Sequence, residues 1–211
     1  MRALVVYCHP RPDSFTAAVR DVVVDRLEAA GAELRLRDLY AEGFQPVLTR
    51  EEWTGYLDAP KNRMPVEAHC ADLAWCDTLI FVYPTWWYGL PAMLKGWLDR
   101  VLLPELAFLM PQAEGETIRP GLHHITRLGV FTTCGASWWL TRFVGAPGRR
   151  TLMRGVGLLL RPRAKKVFAA HYLMDSAPRA SLERHLSRVA RQVDRLTGGA
   201  RTRGTTEAVK A

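Results

Sequence analysis

Short apolar runs alternate with amphipathic stretches along most of this chain, and the alternation predicts five β-then-α units. Residues 4–8 form a first strand. A helix follows over residues 14–30, with Val19, Val23, Leu27 and Ala30 on one face. Asp13 or Ser14 caps its first turn and Gly31 ends it. A second strand, residues 33–39, alternates Leu34 and Leu36 with Arg35 and Arg37, the pattern of an edge strand with one solvated face. Residues 40–65 show no clear period and carry Gly43, Pro46, Gly55, Pro60 and Pro65; such a length suits a lid, a dimer contact or a covering loop. A short helix, 66–75, leads into a buried third strand, 78–82. The helix opened by Pro91 places Leu94, Trp97, Leu98, Val101 and Leu102 on one stripe and spaces Lys95 and Asp99 to pair. After a loop over 104–124 come a fourth strand, 128–133, a basic helical stretch, 139–152, and a fifth strand, 166–171. The last helix begins near Pro178, with Leu182, Leu186, Val189, Val193 and Leu196 inward and Arg184, Arg188, Arg191 and Arg195 outward. No internal repeat is visible.

This order predicts an α/β fold: a parallel sheet covered by helices on both faces. Five strands fit a three-layer sandwich in the order 2-1-3-4-5, in which ligands bind beyond the carboxyl ends of the strands. Residues 1–197 read as one domain, and 198–211, rich in Gly, Thr and Ala, as a disordered tail.

Charge changes the picture only in the last third. The 211 residues carry a formal charge of +8, but residues 1–139 hold 13 Lys and Arg against 17 Asp and Glu, and residues 140–211 hold 16 against 4. A basic surface suits phosphates, nucleic acid or an anionic membrane. Without a helix-turn-helix or zinc pattern, nucleic acid is not the expected partner. No apolar run approaches the roughly 20 residues of a membrane span, and the N-terminal apolar stretch is too short for a secretory signal. Cys8, Cys70, Cys76 and Cys134 form no close-spaced metal pair, so reduced thiols in a cytoplasm are expected.

Three predicted loops carry candidate chemistry. The loop after the first strand runs His9, Pro10, Arg11, Pro12, Asp13, Ser14, Phe15, Thr16. It lacks a G-x-G-x-x-G or P-loop motif, yet brings hydroxyls and free amides to a helix start, where a phosphate is stabilised. Taken alone it is equally an ordinary helix cap beside a surface histidine. The loop after the third strand holds Pro84, Thr85, Trp86, Trp87 and Tyr88 before Gly89, Leu90 and Pro91. Three consecutive aromatic side chains cannot all face one core, so some face a ligand or partner. The loop after the fourth strand, Thr132, Thr133, Cys134, Gly135, Ala136, Ser137, permits close backbone approach.

Together these loops, with the run Asp38, Leu39, Tyr40, Ala41, Glu42, Gly43, Phe44, Gln45, Pro46 and the segment from Pro84 to Arg100, resemble the flavodoxin-like NAD(P)H:quinone oxidoreductase family. The likeness extends to about Gly135, and Trp87 to Trp97 is its most specific part. It implies a bound flavin, FMN or FAD, with NAD(P)H as co-substrate. His9, Ser14, Phe15 and Thr16 would surround the phosphate and ribityl end. Pro84, Thr85, Trp86, Trp87 and Tyr88 would flank the isoalloxazine, and Thr132, Thr133, Cys134 and Gly135 would contact its other side. The implied reaction is ping-pong hydride transfer to a quinone or similar flat acceptor, in a cytoplasmic homodimer. The alternative is an ancillary flavin-containing subunit of a transporter such as a potassium-efflux system. The sequence departs from the quinone reductases after Ser137, where Trp138, Trp139, Leu140, Thr141, Arg142 and Phe143 offer neither the expected Tyr nor the expected His. Arg142, Arg149 and Arg150 are candidate partners for a nucleotide phosphate.

Overall fold

Five strands, all running the same way, form the main sheet of the computed structural model, which describes residues 1–198. The elements are β1 (Arg2–Tyr7), α1 (Phe15–Ala29), β2 (Glu33–Asp38), α2 (Arg50–Thr54), α3 (Glu67–Trp75), β3 (Thr78–Thr85), α4 (Ala92–Val101), β4 (Phe108–Leu109), β5 (Arg119–Pro120), β6 (Arg127–Cys134), α5 (Trp138–Phe143), α6 (Pro147–Arg150), α7 (Gly157–Leu159), β7 (Lys165–His171) and α8 (Arg179–Thr197). The sheet order is β2-β1-β3-β6-β7, with β4 and β5 as a separate two-stranded piece. Numbered without that piece, this is the expected order 2-1-3-4-5. The proposed tail lies outside the described residues from 199 onward.

The central strands are apolar on both faces because both are covered. On one side Leu4, Val6, Leu79, Phe81, Leu128 and Val130 pack against Leu73 of α3 and Leu94 and Trp97 of α4. On the other, Val5, Ile80, Val82 and Phe131 meet Val19, Val23 and Leu27 of α1 and Val189, Val193 and Leu196 of α8. An ion pair between Arg26 and Asp194, 2.6 Å, ties α1 to α8. Gly96 is required for the second layer: a Cβ there would lie 2.1 Å from the Pro46 carbonyl oxygen, so α4 lies directly on the long connection.

Several expectations are corrected. β3 does not stop at Val82 but runs on through Tyr83 and Pro84 to Thr85, where Pro84 stands opposite Thr133 in the ladder. β2 is an edge strand, and its arginines remain partly exposed while pairing with a buried acid. Arg35 and Arg37 reach the buried Asp72 carboxylate at 2.7 and 2.5 Å, and Arg35 lies 4.0 Å from the Trp75 ring. Leu36 is exposed as well. The long connection is not formless. It holds α2, opened by a Thr49–Glu52 capping box, and a 3₁₀ turn, Lys61–Val66. The buried Arg100 fixes it from α4, with its guanidinium on Glu52 at 2.5 Å and on the Gln45 carbonyl at 2.5 Å. Such a pair is retained when every donor is satisfied. The basic stretch expected as one helix over 139–152 is broken. α5 ends before Gly145 and Ala146, both at positive φ, α6 restarts at Pro147, and a π-helical turn, Thr151–Val156, precedes α7.

Buried histidines give the fold an acid sensitivity. His185 joins the inward stripe of α8, its ring 5.2 Å from His171 and 6.0 Å from Phe15. His185 Nε2 and His171 Nδ1 are buried without hydrogen-bond partners. Burial lowers the pKa of His185 to about 4, with the neighbouring His171 and Arg188 charges adding. His69 behaves alike: burial first, then Arg37, brings it to about 4, and its Nδ1 accepts from Trp97 Nε1 at 3.2 Å. These rings are neutral in the folded chain but titrate near 6.5 when unfolded. Below pH 6.5 the unfolded chain binds more protons, so stability falls as pH drops from about 6.5 towards 4 and these groups add no further loss below that. Urea midpoints measured across this range should decline, and His185→Phe, which keeps a ring in place, should shallow the decline. An unchanged slope in the variant would contradict the assignment to His185.

Candidate functional site

The carboxyl ends of β1, β3 and β6 stop at one edge, and the loops they release meet there around a cleft of about 540 Å³. That lies within the usual range of small-molecule sites. Its lining contains His9, Ser14, Phe15 and Thr16 from the first loop. Pro84, Thr85, Trp86, Trp87 and Tyr88 come from the third strand's end, and Thr133, Cys134 and Gly135 from the fourth. Thr132 is the expected site residue that does not line it. One position earlier on a period-two strand it points the other way, into an adjoining pocket, where its hydroxyl lies 2.8 Å from Thr85 Oγ1. Ala136, Met174 and Asp175 also line the cleft and were not foreseen. Met174 and Asp175 sit in a short 3₁₀ turn after β7, a segment without periodic pattern to place it. Gly135 was a clue: a Cβ there would stand 2.8 Å from Asp175 Oδ2, so glycine is what lets that carboxylate close in.

The first loop is set up to receive an anion. Ser14 caps α1, its hydroxyl accepting from the Ala17 amide at 3.1 Å. The Phe15 and Thr16 amides begin the helix and have no intrahelical acceptor. His9 Nδ1 lies 3.0 Å from the Arg11 amide nitrogen and 3.1 Å from the Arg11 carbonyl oxygen, so the ring is tied to its own loop. Burial lowers the His9 pKa. Arg11 is not a free cation: it forks onto Asp13 at 3.0 and 2.7 Å. Thr16 Oγ1 lies 3.0 Å from Thr133 Oγ1, a buried contact that stitches the start of α1 to the end of β6.

The aromatic loop is a tight turn of unfavourable residues. The Gly89 amide donates to the Trp86 carbonyl at 3.0 Å, closing a turn whose central residues, Trp87 and Tyr88, sit at φ 48° and 62°. This left-handed geometry belongs to Asn and Gly and costs an ordinary side chain about 1–2 kcal/mol per residue. The turn therefore sacrifices local stability to display aromatic rings. Trp87 is 93% exposed and Trp86 43%. Trp86 faces the His9 ring at a centroid distance of 6.3 Å. Opposite, the Gly135 and Ala136 amides donate to no backbone carbonyl among the described residues. Cys8 is buried away from the cleft, its thiol pushed up to about 12 by burial, and Cys134 borders the cleft as a buried free thiol.

The residues present fit a flavin nucleotide. Helix-start amides, a serine hydroxyl and a histidine ring suit its phosphate end, exposed flat side chains suit its ring, and free amides suit the polar edge of that ring.

The fold and this edge site define a flavodoxin-like α/β protein. Residues 1–191 match the family described as having a flavodoxin-like fold, and the chain belongs to that family. Among curated proteins, it is 39% identical over 109 residues to an Escherichia coli protein named uncharacterized NAD(P)H oxidoreductase YcaK, covering 51% of this chain and 55% of that one. It is 36% identical over 126 residues to a ribosyldihydronicotinamide dehydrogenase [quinone] of Pongo abelii, covering 52% and 54%. The chain thus spans about half the length of the curated relatives it matches. A solved NAD(P)H:quinone oxidoreductase from Methanothermobacter marburgensis superposes with a TM-score of 0.72 at 25% identity, over 93% of this chain and 96% of that one.

Trp87→Asn should raise the urea midpoint of the ligand-free protein, by about 0.5–1 kcal/mol of stability, because Asn tolerates the left-handed turn. A lowered midpoint would show that Trp87 holds the fold rather than awaiting a ligand.

Proposed function

We propose that the chain is an NAD(P)H oxidoreductase that holds a flavin, FMN or FAD, in the edge cleft and passes two electrons to a quinone or another flat acceptor. The single observation that carries this reading is the pair of tryptophans held out on a strained turn beside the capped start of α1. The names of the relatives support it. A bound flavin supplies a ring that takes a hydride from NAD(P)H and returns it to the acceptor. In net terms NAD(P)H, a quinone and one proton become NAD(P)⁺ and a hydroquinone.

The chain's own residues bind and polarise. The Phe15 and Thr16 amides and the positive end of α1 neutralise the phosphate. The Ser14 hydroxyl and the His9 ring lie beside it. Trp86, Trp87 and Tyr88 would flank the ring. Donor and acceptor would use that ring in turn, which is why the wall is aromatic and not specific in its hydrogen bonding. The Gly135 and Ala136 amides, which line the cleft, would donate to the polar edge of the ring.

The working unit we infer is a cytoplasmic homodimer. Trp138, Trp139 and Phe143 are exposed on α5 next to the cleft, with the last two rings stacked at 5.5 Å and 8°, and a second subunit would cover them. A sedimentation mass of one 23.8 kDa chain would remove the dimer from this reading.

Steady-state oxidation of NADPH and NADH with a benzoquinone tests the activity. Acceptor-dependent turnover with parallel double-reciprocal plots is expected. A flavin-loaded protein that oxidises neither nucleotide in the presence of the quinone would overturn the enzymatic reading.

A further inference from the structure

Beside the main cleft lies a second, more enclosed pocket of about 200 Å³ that the reading above leaves unused. The two share Thr85, Tyr88 and Cys134. Arg142 of α5, Arg149 of α6, Phe168 of β7 and Tyr172 just beyond it form much of the remaining wall. Its charge is one-sided. No carboxylate lines it, whereas Asp175 lines the main cleft. Among the described residues neither Arg142 nor Arg149 is in an ion pair.

The two guanidiniums are held in place without being neutralised. Arg149 lies over the Phe168 ring at 5.1 Å and Arg142 over the Trp138 ring at 5.6 Å. Aromatic faces attract the cation but leave its N–H edge free to donate. Both arginines line this one pocket together with Tyr172. The segment that carries Arg149 is seated on the aromatic turn itself. A Cβ on Gly148 would stand 3.1 Å from the Gly89 carbonyl carbon, and the Gly148 amide lies 3.5 Å from the Tyr88 carbonyl oxygen. Ala146 accepts a left-handed φ of 48° to allow this approach. The arginine is therefore positioned relative to the wall of the cleft and does not merely decorate a basic surface.

We propose that this side pocket selects the electron acceptor, taking a flat ring compound that carries a carboxylate or sulfonate, with the ring in the main cleft and the anion between Arg142 and Arg149. This rests on the electron-transfer reading for the word acceptor, and on the pocket alone for the anion. A planar oxyanion matches the two donor forks. A neutral quinone fills the cleft but leaves both cations unpaired. The break in the helical stretch at Gly145 to Pro147 thereby gains a purpose: a continuous helix would not lay Arg149 against the turn.

The test compares 1,4-naphthoquinone-2-sulfonate with neutral 2-methyl-1,4-naphthoquinone on the flavin-loaded protein at saturating NADPH. It uses the native chain and the double variant Arg142→Gln, Arg149→Gln, with folding checked by circular dichroism. The native chain should show a KM for the sulfonate at least about 10-fold lower than for the neutral quinone, and the variant should bring that ratio near one. Redox-inert naphthalene-2-sulfonate, followed by tryptophan quenching without NADPH, supplies a readout free of turnover and should bind the native chain about 10-fold tighter than the variant. Equal KM values in the native chain, or a preference that survives in the variant, overturn the proposal. If neither quinone is reduced but the inert sulfonate still binds through the arginines, the pocket assignment stands and the electron-transfer reading falls.

Discussion

The parallel pairing of β3 with β6 is the constraint from which the site follows. The ladder ends with Pro84 opposite Thr133 and Thr85 opposite Cys134, so the aromatic turn and the small-residue loop leave the sheet at the same level. Two hydroxyl contacts lock that edge: Thr85 to Thr132 across the strands, and Thr16 of α1 to Thr133. A slip of one residue would exchange every side chain between the two covered faces, burying Thr132 and Thr133 in each other's surroundings. Both faces are filled, so the register has no freedom, and neither have the loops that it positions.

Part of the backbone strain lies at that rigid edge. Of the six non-glycine residues at positive φ among the described residues, Trp87, Tyr88 and Ala146 line the cleft or its side pocket, and Glu105, Arg163 and Leu173 do not. Elsewhere the backbone is held by satisfied pairs: Arg100 with Glu52 and Gln45, and Asp72 between Arg35 and Arg37. These anchor the long connection and the edge strand, so the cost of the two left-handed aromatic residues is carried by a frame that does not yield. Strain left in place where the chain could have used Asn-Gly points to a requirement for the side chains, which is the physical basis for reading the turn as a ligand wall.

Much of this was legible in the sequence because it rests on periodicity. The buried runs gave five strands in their order, and the inward stripe of α8 contains the predicted Val189, Val193 and Leu196. The three loops converge because the fold class requires it. What escaped depends on single residues overriding pattern. Pro84 reads as a strand breaker, yet it stands within the ladder as the last residue but one of β3. His185 reads as polar, yet it is buried against His171 and Phe15. Arg35 and Arg37 read as solvated, yet both pair with the buried Asp72, more than thirty positions later. The broken helix after Ser137 turns on a glycine and an alanine at positive φ, which residue spacing does not reveal. Thr132 was assigned to the cleft with its neighbours, and the twofold alternation of β6 sends it to the adjoining pocket instead.

The central claim is that three strand-end loops together form a seat for one redox-active ring, and the stoichiometry of that seat is directly measurable. Titrating ligand-free protein with FMN and with FAD, followed by flavin fluorescence and by mass analysis of the complex, should give one flavin per chain with one of the two nucleotides. Saturation at one equivalent, lost when Ser14 and Trp87 are both replaced by Ala, is the predicted result. Failure of either nucleotide to bind at stoichiometric levels would contradict the account at its foundation.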